Sequence, residues 1–61
     1  MIKMRIFDHT SKVSGYHRMP VVPRIGEGIF LGHAQSSRRK VTDVSYFEEA
    51  PGNWVVDIHA S

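Results

Sequence analysis

Four histidines, His9, His17, His33 and His59, are the side chains in this chain best suited to hold a metal or carry a proton. No two of them sit at the i, i+2 or i, i+4 spacing of a ready-made ligand pair, and no cysteine joins them. Each falls in a loop or at an outward strand position, so the four read as separately solvated imidazoles and no metal site is expected. Asp57, His59 and Ser61 share one face of an extended segment, because alternate strand residues point the same way. They hold the residue types of a nucleophilic triad. Such a site also needs oxyanion donors and a pocket that excludes water, and a chain of 61 residues has little room for either. The three read as an ordinary polar strand face, and neither a catalytic residue nor a cofactor is expected. Gly26-Glu27-Gly28 lacks the Lys-Ser/Thr and the helix of a phosphate loop, and Glu27 would repel a phosphate.

Cationic residues are the remaining chemistry. Arg38, Arg39 and Lys40 are consecutive, and Lys12, Arg18 and Arg24 precede them in a segment that also carries Tyr16 and His17. Basic loops beside a stacking aromatic suit a nucleic acid. The overall balance argues only weakly for that partner, since 8 Lys+Arg against 6 Asp+Glu leave a net charge of +2. Glu48-Glu49 adds an acidic pole, and a surface with two poles of opposite sign suits docking on a protein.

These side chains need elements to hold them. Ile2 to Asp8 alternates, with Ile2, Met4 and Ile6 on one face and Lys3, Arg5 and Phe7 on the other, which predicts a half-buried strand. His9 to Pro23 shows no sustained period and is broken by Ser11, Ser14, Gly15, Pro20 and Pro23, so a long loop is expected. Pro23 forces Val22 into an extended conformation, and Gly26-Glu27 reads as a tight turn into a strand over Ile25 to Leu31. His33 to Ser37 is small and polar and reads as a connecting loop. Lys40 to Phe47 is rich in strand formers. Its Val41 and Val44 share a face only if a bulge sits at Thr42-Asp43. Glu48 to Asn53 reads as a turn, with Pro51 and Gly52 at the central positions of type II. Trp54 to Ala60 completes a β-hairpin with the preceding strand. The expected inward set is Ile2, Met4, Ile6, Ile25, Ile29, Leu31, Val41, Val44, Trp54, Val56 and Ile58.

A chain this short makes a single domain, 1–61, and buries only ~60% of the surface its unfolded form exposes. Without cysteine it gains nothing from disulfides, and it is too apolar, at 41%, for a disordered tail. No window approaches the ~20 apolar residues of a membrane span. Met1 to Arg5 alternates instead of forming the apolar core of a signal peptide, so a cytoplasmic location is expected.

Taken together, the first strand, the long loop, Val-Pro-Arg-Ile-Gly-Glu with its short strand ending in Leu-Gly, Lys-Val-Thr-Asp-Val and the final Trp-Val-Val-Asp-Ile resemble the small SH3-like β-barrel proteins, many of them from phages and mobile elements. The resemblance covers the first strand and most of the chain from Val22. It implies an all-β, partly open antiparallel barrel of about four to five strands, with partners held by the loops over His9 to Arg24 and Gly32 to Arg39. Only Tyr16 represents the aromatic groove of proline-peptide binders there. The expected function is a non-enzymatic protein-interaction module, an accessory factor of phage or mobile-element type, contacting its partner through Tyr16, His17, Arg18, Arg24, Arg38 and Arg39. The alternatives are a sequence-tolerant nucleic-acid binder using the basic loop, and a self-assembling structural subunit joined through exposed edges and Phe7, Phe30 or Val55.

Overall fold

The computed structural model describes residues 1–32 and 37–61. The described chain is all-β. Five strands, β1 (Ile2–Asp8), β2 (Val13–Met19), β3 (Gly28–Ile29), β4 (Arg39–Ala50) and β5 (Asn53–Ala60), form one sheet in the order β2-β1-β5-β4-β3. The sheet curls into an open half-barrel whose two edges are β2 and β3. No helix among the described residues is long and apolar enough to cross a membrane.

The β4–β5 hairpin forms as its alternation predicts. The register slips between Val41 and Asp43, where the bulge was expected. That slip lets Val41 reach the core and leaves Val44 packed at its margin. Gly52 takes φ 76° at the tip, as the second central residue of a type II turn requires. The turn is tighter than the sequence suggests, since pairing continues to Ala50 and Asn53.

The segment over His9 to Pro23 is a correction. It contains β2, antiparallel to β1 along its whole length from Ile2↔Met19 to Asp8↔Val13. No apolar alternation marks β2, because neither of its faces is fully covered: Ser14, Tyr16 and Arg18 are exposed, and Gly15, His17 and Met19 are half-buried. An edge strand is held by its ladder and its turn instead. Thr10 N–H and Ser11 N–H both donate to Asp8 Oδ1, at 3.0 and 3.1 Å, and Lys12 takes the left-handed φ of 56° that reverses the chain. The strand expected over Ile25 to Leu31 shortens to Gly28–Ile29. The loop expected over His33 to Ser37 lies, for residues 33–36, outside the described residues.

One pairing is parallel. β1 runs alongside β5 from Met4↔Val56 to Asp8↔Ala60, which places the first and last strands next to each other in the sheet. The core is Met4, Ile6, Ile29, Leu31, Val41, Val56, Ile58 and Ala60. Three members of the expected inward set are exposed. Ile2 lies at the first position of β1, and Ile25 lies in the Arg24–Glu27 turn with 65% of its surface open. Trp54, 59% exposed, has the phase of Val56 and Ile58 but no neighbour to cover it, because β1 stops pairing with β5 at Val56. The β4–β5 hairpin therefore runs on past the barrel as an arm, in a molecule 38 Å long and 19 Å across. Val55, expected outside, is buried, and Asp57 with it; β5 is the central strand and is covered on both faces.

Candidate functional site: two grooves, a basic face and a histidine pair

The hairpin arm and the 22–25 segment build the first groove. Pro23 is buried and holds Val22 extended, so Ile25 is pushed out at the turn. A groove of about 500 Å³ opens between them, lined by Val22, Pro23, Arg24 and Ile25 on one side and by Val44 and Tyr46 of β4 on the other. Tyr46 is 58% exposed, and Trp54 stands on the same face of the arm, diagonal to it across the β4–β5 ladder. Arg24 forms the rim. Glu27 closes the turn: Arg24 N–H donates to Oε1 at 2.7 Å, and the Arg24 guanidinium lies 3.2 Å from Oε2. These bonds, the backbone one first, hold the Glu27 carboxyl below its ordinary value.

The second groove, of about 380 Å³, is the seam of the half-barrel. His17, Arg18 and Met19 of β2 face Gly28 to Gly32 across it, over a floor that includes Ile6. The Arg38 guanidinium lies against the backbone at Gly28, so closely that a methyl group there would collide with it. A side chain there would push the Arg38 guanidinium aside.

The outer face of β1 and β2 is basic and aromatic. Lys3 stands directly opposite Arg18, and Arg5 opposite Tyr16. Lys3 Nζ lies 4.6 Å above the Tyr16 ring, and Arg5 lies 5.2 Å over Phe7. Arg5 makes a bidentate pair with Asp57, at 3.0 and 2.7 Å, which raises its pKa further and neutralises that part of the face. Lys3 and Arg18 have no carboxylate partner among the described residues.

The six expected contact residues are thus dispersed. His17 and Arg18 share the seam, Arg38 lies across Gly28, Tyr16 faces outward beside Lys3, and Arg24 borders the arm groove. Arg39 is corrected: it is 7% exposed, and its guanidinium donates to Asp8 Oδ1 at 2.9 Å and to Ser11 Oγ at 2.9 Å. It neutralises a buried carboxylate and is not a surface contact. The exposed polar face expected at Asp57 and His59 is corrected too, since Asp57 is 4% exposed beneath Arg5.

Sequence spacing also separated two histidines that the fold joins. His9 Nε2 and His59 Nδ1 lie 2.8 Å apart, and the His59 ring stacks on Phe7 at 4.7 Å. They are 50 residues apart in the chain, and only the parallel β1–β5 register signals their proximity. His33 lies outside the described residues. No group of three or more metal-binding side chains forms among those that are described.

No protein-family model, curated protein or solved structure matches this chain.

Proposed function

We propose that the protein is a non-enzymatic interaction module that docks on another protein through its hairpin arm. One observation carries this reading: Tyr46 and Ile25, each more than half exposed, line one open apolar groove, and Trp54, equally exposed, stands on the same face of the arm beside it. Tyr, Trp and Arg are the residues that dominate the energetics of protein interfaces, and here Arg24 edges the same groove. Leaving such a patch in water offsets folding without benefit unless something covers it. The complementary partner offers apolar side chains for the groove and a carboxylate at its rim for Arg24.

Trp54 is the sole tryptophan, so its fluorescence reports the arm directly. The test compares capture by the wild-type chain, by Tyr46→Ser and by a Lys3→Ala control from the native cell extract. Loss of the same captured protein in Tyr46→Ser alone, with a blue shift of Trp54 emission when that protein is added back, supports the reading. Equal capture by both variants sinks it. A blue shift that grows with the concentration of the chain alone assigns the arm to self-assembly instead.

A second reading, of a sequence-tolerant nucleic-acid binder, rests on a separate observation. Lys3 and Arg18 are directly opposed like charges, a pairing that costs stability in an antiparallel ladder, and exposed Tyr16 lies beside them. A polyanion would relieve that repulsion, and its bases would stack on the ring. Fluorescence anisotropy of an oligothymidylate at low and at physiological salt tests it. Binding that falls steeply with salt and is lost in Arg18→Ala supports it; no binding at low salt rejects it.

A further inference from the structure

We propose that His9 and His59 form a two-imidazole site for a divalent first-row transition ion of the Zn²⁺, Ni²⁺ or Cu²⁺ class. The ring nitrogens His9 Nε2 and His59 Nδ1 are 2.8 Å apart. Two imidazoles on one ion stand about 3.3 Å apart in a tetrahedral sphere and about 2.9 Å apart as neighbours in a square-planar one. The observed spacing therefore lies within a few tenths of an ångström of a chelate. The rings lie edge to edge, with centroids 5.0 Å apart and planes 10° from parallel, so their lone pairs point along the line joining them. Convergence on an ion beside that line turns each ring by about 35–45°. His9, exposed on the β1–β2 turn, is free to make its share of that movement.

The protonation chemistry balances without an added base. In the hydrogen-bonded pair one of the facing nitrogens carries hydrogen. Moving it to the far nitrogen of the same neutral ring leaves His9 bound through Nε2 with Nδ1–H, and His59 bound through Nδ1 with Nε2–H. Water fills the remaining positions.

The support around the pair is rigid. His9 N–H donates to Ala60 O at 2.8 Å, which ties the turn to the residue next to His59. Asp8, immediately before His9, accepts from Thr10, Ser11 and buried Arg39. On the other side Phe7 stacks on His59, and Thr42 Oγ1 donates to His59 O at 3.2 Å. With both backbones anchored, the pair needs only side-chain rotation to take an ion.

The experiment titrates untagged protein with NiCl₂ and with ZnCl₂ by calorimetry, alongside His9→Ala, His59→Gln and His17→Ala, each checked by circular dichroism. The expected result is ion binding by wild type and by His17→Ala, and its loss in the other two. The same ions raise the melting midpoint of wild type but not of His9→Ala, and affinity declines as pH is lowered because protons compete for the same lone pairs. Should His59→Gln unfold, His9→Ala decides alone, since His9 is exposed. Failure of wild type to bind either ion, or binding that survives in His9→Ala, overturns the proposal.

Discussion

The two ends of the molecule contrast sharply. At the barrel end, charged side chains are inside: those of Arg39 and Asp8 have only 8% and 1% of their side-chain surface open and are directly bonded. On the arm, apolar side chains are outside: Tyr46, Phe47 and Trp54 are each at least half exposed. The same hairpin, β4–β5, runs through both regions. The difference comes from where β1 lies. Over Met4 to Asp8 it flanks β5 and closes the core; beyond Val56 there is no third strand, and Trp54, on the face of Val56 and Ile58, is left open. Exposure thus follows from the length of the neighbouring strand and not from residue type.

That contrast is sharpest under mutation at the barrel end. Arg39→Met takes a guanidinium away from the buried Asp8 carboxylate, which is expected to cost about 3–5 kcal/mol. That is much of the stability of a domain this small, so circular dichroism is expected to show a largely unfolded chain. Asp8→Asn combined with Arg39→Met removes both charges and recovers part of the loss; no recovery would assign the effect to packing around Ser11. Next in size is Ile58→Ala in the core, expected to cost about 2–5 kcal/mol by urea denaturation. On the arm, Gly52→Ala forces a side chain into the left-handed region and is expected to cost about 1–2 kcal/mol. Trp54→Ala, a larger deletion than Ile58→Ala, is expected to change stability by no more than about 0.5 kcal/mol, as surface substitutions do. A Trp54→Ala loss equal to that of Ile58→Ala would erase the distinction between the two ends.

The smallest effect is at Glu27. Its carboxyl is held below the ordinary glutamate value in the folded chain. Its contribution is therefore present above the unfolded value and is lost as pH falls through the folded one. Wild type is expected to lose slightly more stability on acidification through that window than Glu27→Gln, as read from melting midpoints at matched pH values. Identical pH profiles would show that the Arg24–Glu27 contact is too exposed to matter.

Legibility in the sequence tracked burial on one face. β1, β4 and β5 were readable because Met4 and Ile6, Val44 and Tyr46, and Val56 and Ile58 keep a strand period, and even the bulge at Thr42-Asp43 followed from Val41 being out of phase with Val44. β2 was not readable, since an edge strand with two partly open faces selects no apolar pattern. The candidate grooves were visible only in fragments. Arg24, His17 and Arg18 do border them, but the exposure of Trp54 beside the arm groove was hidden, because Trp54 carries the same alternation as the core residues that follow it.

The amino-acid order alone determined that this chain is β-structured, where its tip turn lies and most of the residues that meet in its centre, because those features depend on neighbours one to four positions apart. The tertiary structure alone decided which alternating residues are covered, that Arg39 neutralises Asp8, and that His9 meets His59. Each of these depends on β1 lying parallel to β5, a contact between opposite ends of the chain that no local spacing encodes.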